Sequence, residues 1–407
     1  MANTILTPTA VTREALRVLH QKLNFVGSID RQYDSSFAKS GAKIGSTLKI
    51  RKPNQYVVRT GKTLDTQDTT ESSETLTVAT QKGVDLNFSS AEMTTDLDDF
   101  SSRIIDPAMS VLAANIEADA LSMYKNVWNE VSDVGAALTY TDVLNGRKVL
   151  QDNLAPMGNR TALLDTQMQV DVIGDLKALF NNQAEIGKQM KEGFIGRVNG
   201  FDFMENTLLP LHTTGTDDGT GDYLTDTAAA EADGTTGELN VDTGAGSFAI
   251  GDIIEIEGVY DVHPETKVST GLLKRFVITT ASTPGAGGAS IHISPTIVTS
   301  GGGQNVSAAV VDGKIIYKRE SDRSTAIAAS ADYRVSMLYH RDAFTFATAD
   351  LLMPKGVDFS AREVFDGISM RIVRAYDINN DNMPCRLDVL YGYKAIRPEW
   401  ACRLGFN

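Results

Sequence analysis

The clearest pattern of apolar and polar positions lies between Asp98 and Val131. There Ile105, Met109, Leu112, Ile116, Ala120, Met123 and Val127 recur at steps of four and three. That period keeps side chains on one face of an α-helix, and so long an apolar face requires burial. Asp106-Pro107 supplies a start signal inside the stretch. Asp accepts from free backbone amides at a helix N-cap, and Pro at the first helical position gives up only an amide that has no partner. A helix from Pro107 to Glu130 would be about 36 Å long at about 1.5 Å per residue, and the spacing predicts it as the spine of the fold.

Upstream, Leu16, Leu19 and Leu23 place a stripe on Thr12–Asn24, a short amphipathic helix that needs a partner to be stable. Period-two alternation predicts strands at Thr47–Lys52, Gln55–Arg59, Leu76–Val78 and Val84–Phe88. Thr60–Thr75 between them is polar, with too little apolar surface for a core. The whole reads as a long two-stranded excursion completed by a neighbouring chain, because an isolated ribbon is marginal in water.

Downstream of the spine, Thr141–Asn153 reads as a helix and Thr161–Leu164 as a short buried strand. Thr166-Gln167-Met168-Gln169 matches a capping box that opens a helix through Asn181. Gly193–Leu211 reads as strands with glycine turns, which makes this region a mixed α+β layer. At Thr213 the composition shifts to Gly, Thr and Asp punctuation around short strands: Leu239–Val241, Ile253–Glu257, Phe276–Thr279 and Ile291–Ile293. Ile254 and Ile256 alternate with Glu255 and Glu257, one apolar face and one wet face. A hairpin over Val310–Ile316, turning at Asp312-Gly313, completes an inserted all-β barrel-like domain that ends near Thr325. Asp332–Phe346 then returns to strand and helix, and Ile368–Tyr376 pairs with Arg386–Tyr393 as a last hairpin. The fold class is α+β, with a β-domain inserted into a mixed one.

Composition narrows the function. The 407 residues suffice for two or three domains with substantial cores. A formal charge of −14 makes a nucleic-acid partner something contained rather than gripped, because phosphate affinity comes from Lys and Arg. No signal-peptide run and no membrane-length apolar stretch occur, so synthesis in the cytosol with no membrane partner is expected. Cys385 and Cys402 are too few for a disulfide framework and are expected as buried free thiols.

The chain offers little catalytic chemistry. It has no nucleophile elbow, phosphate loop or zinc-protease helix. His20, His212, His263, His292 and His340 have no ligand spacing and read as structural. Asp377-x-Asn379-x-Asp381 with Asp388 resembles an EF-hand loop. However, Asn382 stands where that loop requires Gly and Pro384 interrupts it, so a hairpin turn is expected instead. No catalytic, cofactor-binding or metal-ligating residue is assigned, no cofactor is called for, and no enzymatic activity is expected. A siteless acidic chain of this size points to assembly.

The order of elements is accompanied by short motifs. These are Ala113-Ala114-Asn115-Ile116-Glu117 in the spine and Val198-Asn199-Gly200-Phe201-Asp202 before Leu209-Pro210. Gly251-Asp252-x-Ile254 and Gly258-Val259 follow in the insert, then Cys385-Arg386, Tyr391-Gly392 and Arg397-Pro398-Glu399. On these the chain resembles the major capsid proteins of tailed bacteriophages with the Hong Kong 97 fold. More narrowly it resembles the P-twenty-two type of coat protein, which carries an inserted I-domain.

The resemblance implies an N-terminal arm over 1–45, an extended loop over 46–92 and the spine of a peripheral domain over 93–135. It further implies an axial/peripheral domain in two parts, 136–212 and 326–407, around an I-domain over 213–325. It implies hexamers and pentamers of an icosahedral procapsid assembled on a scaffolding protein in the host bacterial cytoplasm. Maturation would then yield a virion enclosing double-stranded DNA that enters through a portal protein. Some relatives cross-link a loop lysine to a neighbour's asparagine; Lys52 and Lys62 lie in or near the ribbon, but the insertion-bearing group is expected to rely on non-covalent contacts. An encapsulin-like protein compartment shell is the alternative within the fold, and a β-rich adhesin or a hydrolase lies outside it.

Overall fold

The computed structural model describes residues 15, 23–34, 47–64, 66, 71, 73–89, 106–176, 196–217, 223–227, 233–357, 359–365, 368–380 and 382–407. Most of the predicted arm helix, the spine before Asp106, the helix end at Asn181 and residues 65, 67–70 and 72 of Thr60–Thr75 lie outside these residues. The chain forms two units. One comprises 1–51, 73–121 and 344–396, and the other 52–72, 122–343 and 397–407.

In chain order, the first unit holds α1 (Phe25–Ser28), β1 (Asp30–Asp34), β2 (Thr47–Arg51), β3 (Ser73–Thr77), β4 (Thr80–Ser89) and α2 (Asp106–Leu121). The second begins with β5 (Glu130–Ser132), α3 (Tyr140–Asp152), β6 (Arg160–Leu164), α4 (Thr166–Leu176), β7 (Arg197–Val198), β8 (Phe201–Glu205) and β9 (Leu211–Thr213). Next come β10 (Leu224–Thr225), β11 (Glu238–Asp242), β12 (Ile253–Val262), β13 (Ser269–Thr280), β14 (Ala289–Ser294) and β15 (Ile316–Tyr317), then β16 (Asp332–His340). The chain returns to the first unit with β17 (Phe344–Ala349), β18 (Phe359–Phe365), β19 (Ile368–Arg374) and β20 (Asn382–Ala395), and to the second with β21 (Ala401–Phe406).

The first unit is a sheet in the order β1-β17-β20-β19-β18, with β4 also on β20. Met109, Leu112, Ile116 and Ala120 of α2 are all buried, as the stripe requires. Glu117 is buried among them, and its carboxylate accepts the amides of Phe25 and Val26 at the start of α1, the latter at 3.2 Å. Free amides at a helical start favour an anion there. On another side of α2, Asp119 accepts from the Tyr391 hydroxyl at 2.5 Å and pairs with Lys82 at 2.7 Å. Only Thr47–Arg51 and Ser73–Thr77 pair as the predicted ribbon. The strand expected at Val84–Phe88 belongs instead to β4, which runs along β20 from Thr80↔Tyr391 to Ser89↔Asn382. Gln55–Arg59 forms no strand; its alternation has no facing strand among the described residues. At Gly392 an added Cβ would lie 2.1 Å from the Thr77 carbonyl oxygen, so this close crossing of the β3–β4 turn requires glycine.

The spine is shorter than predicted. After Leu121 it tightens into a 3₁₀ turn over Ser122–Asn126, and Glu130–Ser132 leaves as β5, parallel to β21. The hydrogen bonds of Glu130–Ser132 go to a strand more than 250 residues away in sequence, which no local period reveals.

The second unit contains a sheet in the order β5-β21-β16-β6-β8-β7, with β9 on β16. Val143 and Leu150 of α3 and Met168 and Val172 of α4 are buried in one core with Leu338 and Leu404 from the sheet. Thr139 and Asp142 cap α3 reciprocally, the Thr139 amide donating to Asp142 at 3.0 Å. The helix predicted to open with a box at Thr166–Gln169 starts at Thr166 itself, and Asp165 stands in the capping position. Its carboxylate accepts the Gln167 amide at 3.3 Å, and the Gln167 side chain turns to Asp171 at 3.0 Å. The helix predicted within Asp332–Phe346 is a single 3₁₀ turn, Arg341–Ala343.

The insert is a second six-stranded sheet, β10-β11-β14-β13-β12-β15. Leu239, Ile254, Ile256, Phe276, Ile278 and Ile291 meet in its core. The Asp312-Gly313 turn exists, with Gly313 at φ +69°, but Val310–Val311 is not a strand. The turn closes on β10 instead, Gly313 N donating to Thr225 O and Thr225 N to Lys314 O, each at 2.8 Å. The wet face expected at Glu255 is also absent: Glu255 is 1 % exposed.

Ile116→Asp should abolish soluble subunit. The new carboxylate would be desolvated with no partner, at a cost of several kcal/mol against a net stability of roughly 5–15 kcal/mol. Soluble yield and the urea midpoint measure it, and a wild-type midpoint would show that this face is not packed.

Candidate functional site

Two stems join the insert to the rest of the second unit, and the backbone ties them together. Thr214 N donates to Ala331 O at 3.0 Å and Ser330 N to Gly215 O at 3.1 Å. Lys318 is fully buried. Its ammonium donates to the carbonyls of Gly215, at 3.3 Å, and Asp217, and lies 3.9 Å from the Asp217 carboxylate. A buried ammonium must be compensated in this way.

Charge then continues along the seam. β21 aligns Arg403 with Glu130 of β5, and the guanidinium meets the carboxylate at 2.6 Å. Arg403 Nη1 also donates to the insert's Gly251 O at 2.7 Å. The Tyr333 hydroxyl donates to the same Glu130 oxygen at 3.4 Å. His212 of β9 has one ring nitrogen 3.0 Å from Asp252 and the other 3.1 Å from the Tyr124 hydroxyl. The second Asp252 oxygen accepts the amides of Gly215 and Ala249 at 3.0 and 2.9 Å. Burial pushes the Tyr124 phenol up and the Tyr333 phenol well up.

The other edge of β5 faces the insert's second stem. Arg275 reaches Glu255 at 2.9 Å, the Glu130 carbonyl, and the Glu320 carbonyl at 2.9 Å. Arg323 holds the same Glu255 oxygen at 3.0 Å, so this buried carboxylate lies between two guanidiniums. Ser321 Oγ donates to Ser132 O at 2.9 Å, and Val134 N to Glu320 Oε1 at 3.0 Å. Burial, chiefly, raises the Glu320 carboxyl above its usual range. Trp128, Ile253 and Val277 form a small apolar cluster within the same seam.

The chemistry of this network is mechanical. Both ring nitrogens of His212 are engaged, the phenols are held protonated, and each carboxylate is matched by a donor. Burial raises the thiol of Cys385 to about 11 and that of Cys402 to about 12, so both stay neutral thiols in the interior. Among the described residues no cluster of His, Cys, Asp and Glu is placed to hold a metal.

The residues singled out from sequence are dispersed. His263 Nδ1 accepts two turn amides, from Glu265 and Thr266, at 3.2 Å each. His292 lies 3.9 Å from Glu238, and His340 stacks edge-on against Trp400 at 5.4 Å. His20 lies outside the described residues. Asp377 accepts the Asn379 amide at 3.0 Å and bridges to Asn382 as the β19–β20 turn, while Asp388 pairs with Arg371 at 2.6 Å. Lys52 and Lys62 lie in the loop after β2, where Tyr56, Val57, Val58 and Leu64 are exposed, Val58 at 90 % and Leu64 at 79 %.

No motif or spacing marks the seam in the sequence. Its one signal is charge inside apolar strands: Glu255 in Ile253–Ile256, Arg275 before Phe276-Val277-Ile278, and Arg403 between Cys402 and Leu404.

The family model described as P22 coat protein, gene protein 5, matches residues 7–404. No curated protein matches the chain. The chain is similar to a solved structure of Mycobacterium phage Che8 at 10 % identity and a TM-score of 0.43, covering 94 % of this chain and 90 % of that one. It is similar to the bacteriophage PhiM1 mature capsid at 10 % identity and a TM-score of 0.47, covering 95 % and 87 %. The head structure of Helicobacter pylori bacteriophage KHP40 matches at 10 % identity and a TM-score of 0.44, covering 92 % and 86 %.

Arg403→Met should destabilise the chain by about 3–5 kcal/mol, because it strands a buried carboxylate. Adding Glu130→Met should recover much of that loss. Urea unfolding of the two single variants and the double variant measures the coupling, and additive losses would show that the pair acts as two independent groups.

Proposed function

The chain belongs to the P22 coat protein family, a structural major capsid role, and on that premise we propose how it serves a virion. Copies form the hexamers and pentamers of an icosahedral procapsid on a scaffolding protein in the bacterial cytoplasm. The shell then matures around double-stranded DNA delivered through a portal protein. The family match over residues 7–404 carries this reading. The charge of −14 supports it, because a wall that repels phosphate neither traps DNA during packaging nor retains it on release. The exposed apolar residues Tyr56, Val57, Val58 and Leu64 support a role for the extended loop in reaching a second copy.

Within the subunit, residues 213–325 act as an autonomous I-domain. Their sheet has its own core, and their stems are paired at the base. The extended loop is proposed within 46–92, and the pairing of β2 with β3 on either side of 52–72 supports it.

The experiment is co-expression with the scaffolding protein, followed by negative-stain microscopy and analysis of contents. Closed shells that package DNA are expected. Small oligomers would overturn the reading, and shells loaded with enzyme cargo would replace it with a compartment shell.

Residues 213–325 expressed alone should be monomeric, with a β-type circular dichroism spectrum and one cooperative thermal transition, because about 110 residues support an independent core. An aggregated fragment would mean that the buried seam is needed to complete its fold.

A further inference from the structure

The insert carries three consecutive glycines, Gly301-Gly302-Gly303, which no function described so far uses. They lie in a loop held from several sides. Asn305 Oδ1 accepts the Val298 amide at 2.9 Å, its Nδ2 donates to Thr296 O at 2.8 Å, and Gln304 N donates to Gly301 O at 3.2 Å. Lys267 Nζ donates to Gln304 O at 3.2 Å. Gly301 has φ +81°, a conformation glycine adopts without strain.

This braced loop meets the backbone of the extended loop. A Cβ at Gly302 would lie 2.3 Å from Gln55 O, 2.7 Å from Gln55 C and 3.2 Å from Tyr56 N. The contact is therefore between main chains, and only an absent side chain permits it. Gly303 is different: a Cβ there would meet nothing closer than 3.7 Å, the Gln55 amide oxygen. Residues 52–60 form no helix or strand, so no ladder fixes their course. Pro53 stiffens the approach, and Val58 is the most exposed apolar side chain beside the seated backbone, at 90 %.

We infer that the Gly302 surface is a seat for the extended loop of the same chain, and that the insert thereby orders residues 52–58 for docking on a second copy. The docking part rests on the capsid reading proposed above; the seat itself does not. Ordering the loop before contact removes conformational entropy that the intermolecular contact would otherwise have to overcome. The insert then has a task inside its own subunit, namely setting the presentation of a loop with no secondary structure of its own.

The test uses full-length Gly302→Val, Gly302→Ala and Gly303→Ala. Trypsin reads loop release by cleavage after Arg59 and Lys62; Lys52 precedes proline and resists cleavage. Gly302→Val should be nicked about tenfold faster than wild type, Gly302→Ala should fall between, and Gly303→Ala should match wild type. A nitroxide on Val58→Cys gives a second reading. Cys385 and Cys402 are buried, so the label goes to residue 58, and its spectrum should sharpen in the Gly302→Ala background but not in the Gly303→Ala background. That milder variant keeps the test valid if Gly302→Val fails to fold. Equal nicking and equal spectra in all backgrounds would overturn the seat. Faster nicking with an undiminished yield of closed shells would overturn its role in docking. Failure of the wild-type chain to form shells would overturn the capsid reading and leave the seat standing.

Discussion

A charge taken out of water must be matched where it is buried, and that constraint governs the second unit. Arg403 and Glu130 meet without solvent, and each makes sense only if the other is in place. Around them, Arg275, Glu255, Arg323, Asp252 and His212 spread the same requirement across the seam between sheet and insert. An apolar seam would bury comparable surface, but it would accept many sliding arrangements. Paired charges with fixed forks accept very few. The seam therefore trades some stability for a defined placement of the insert, a trade that suits a subunit repeated many times in one shell.

The parts legible in the sequence were those fixed by local period. The stripe on α2, the capped helix α3 and the strands around Leu239, Ile254, Phe276 and Ile291 follow from spacing alone. The family was legible as well, from element order and short motifs spread along the chain. What local period could not show was partner choice. Glu130 reads from sequence as the end of the spine because the stripe runs to Val127, whereas in the structure it opens β5 and pairs with β21. The Val84–Phe88 alternation was correct as a strand but was assigned to the wrong sheet, since its partner β20 lies some 300 residues onward. The cap lies one residue earlier than predicted: Thr166 is already helical, and the Asp165 carboxylate accepts the Gln167 amide.

The charged groups that matter most to the structure are not distinguishable in the sequence from solvent-facing ones. Glu255 looked like the solvent side of an alternating strand. A charge between isoleucines has two readings, a wet face or a buried ion pair, and only the position of Arg275 and Arg323 decides between them. The three glycines of the insert were equally ambiguous, since a turn and a surface of main-chain contact require the same residue.

The position of β21 bears on how the subunit is made. It lies between β5 and β16, so β5 has no partner in that sheet until residues 401–406 exist. At about 5–20 residues per second, synthesis from Glu130 to Arg403 takes roughly 15 to 55 seconds. Throughout that interval the nascent chain carries strand edges without their neighbour and an anion without its cation. The β5 edge and the Glu130 carboxylate are therefore completed only by the last strand to be made.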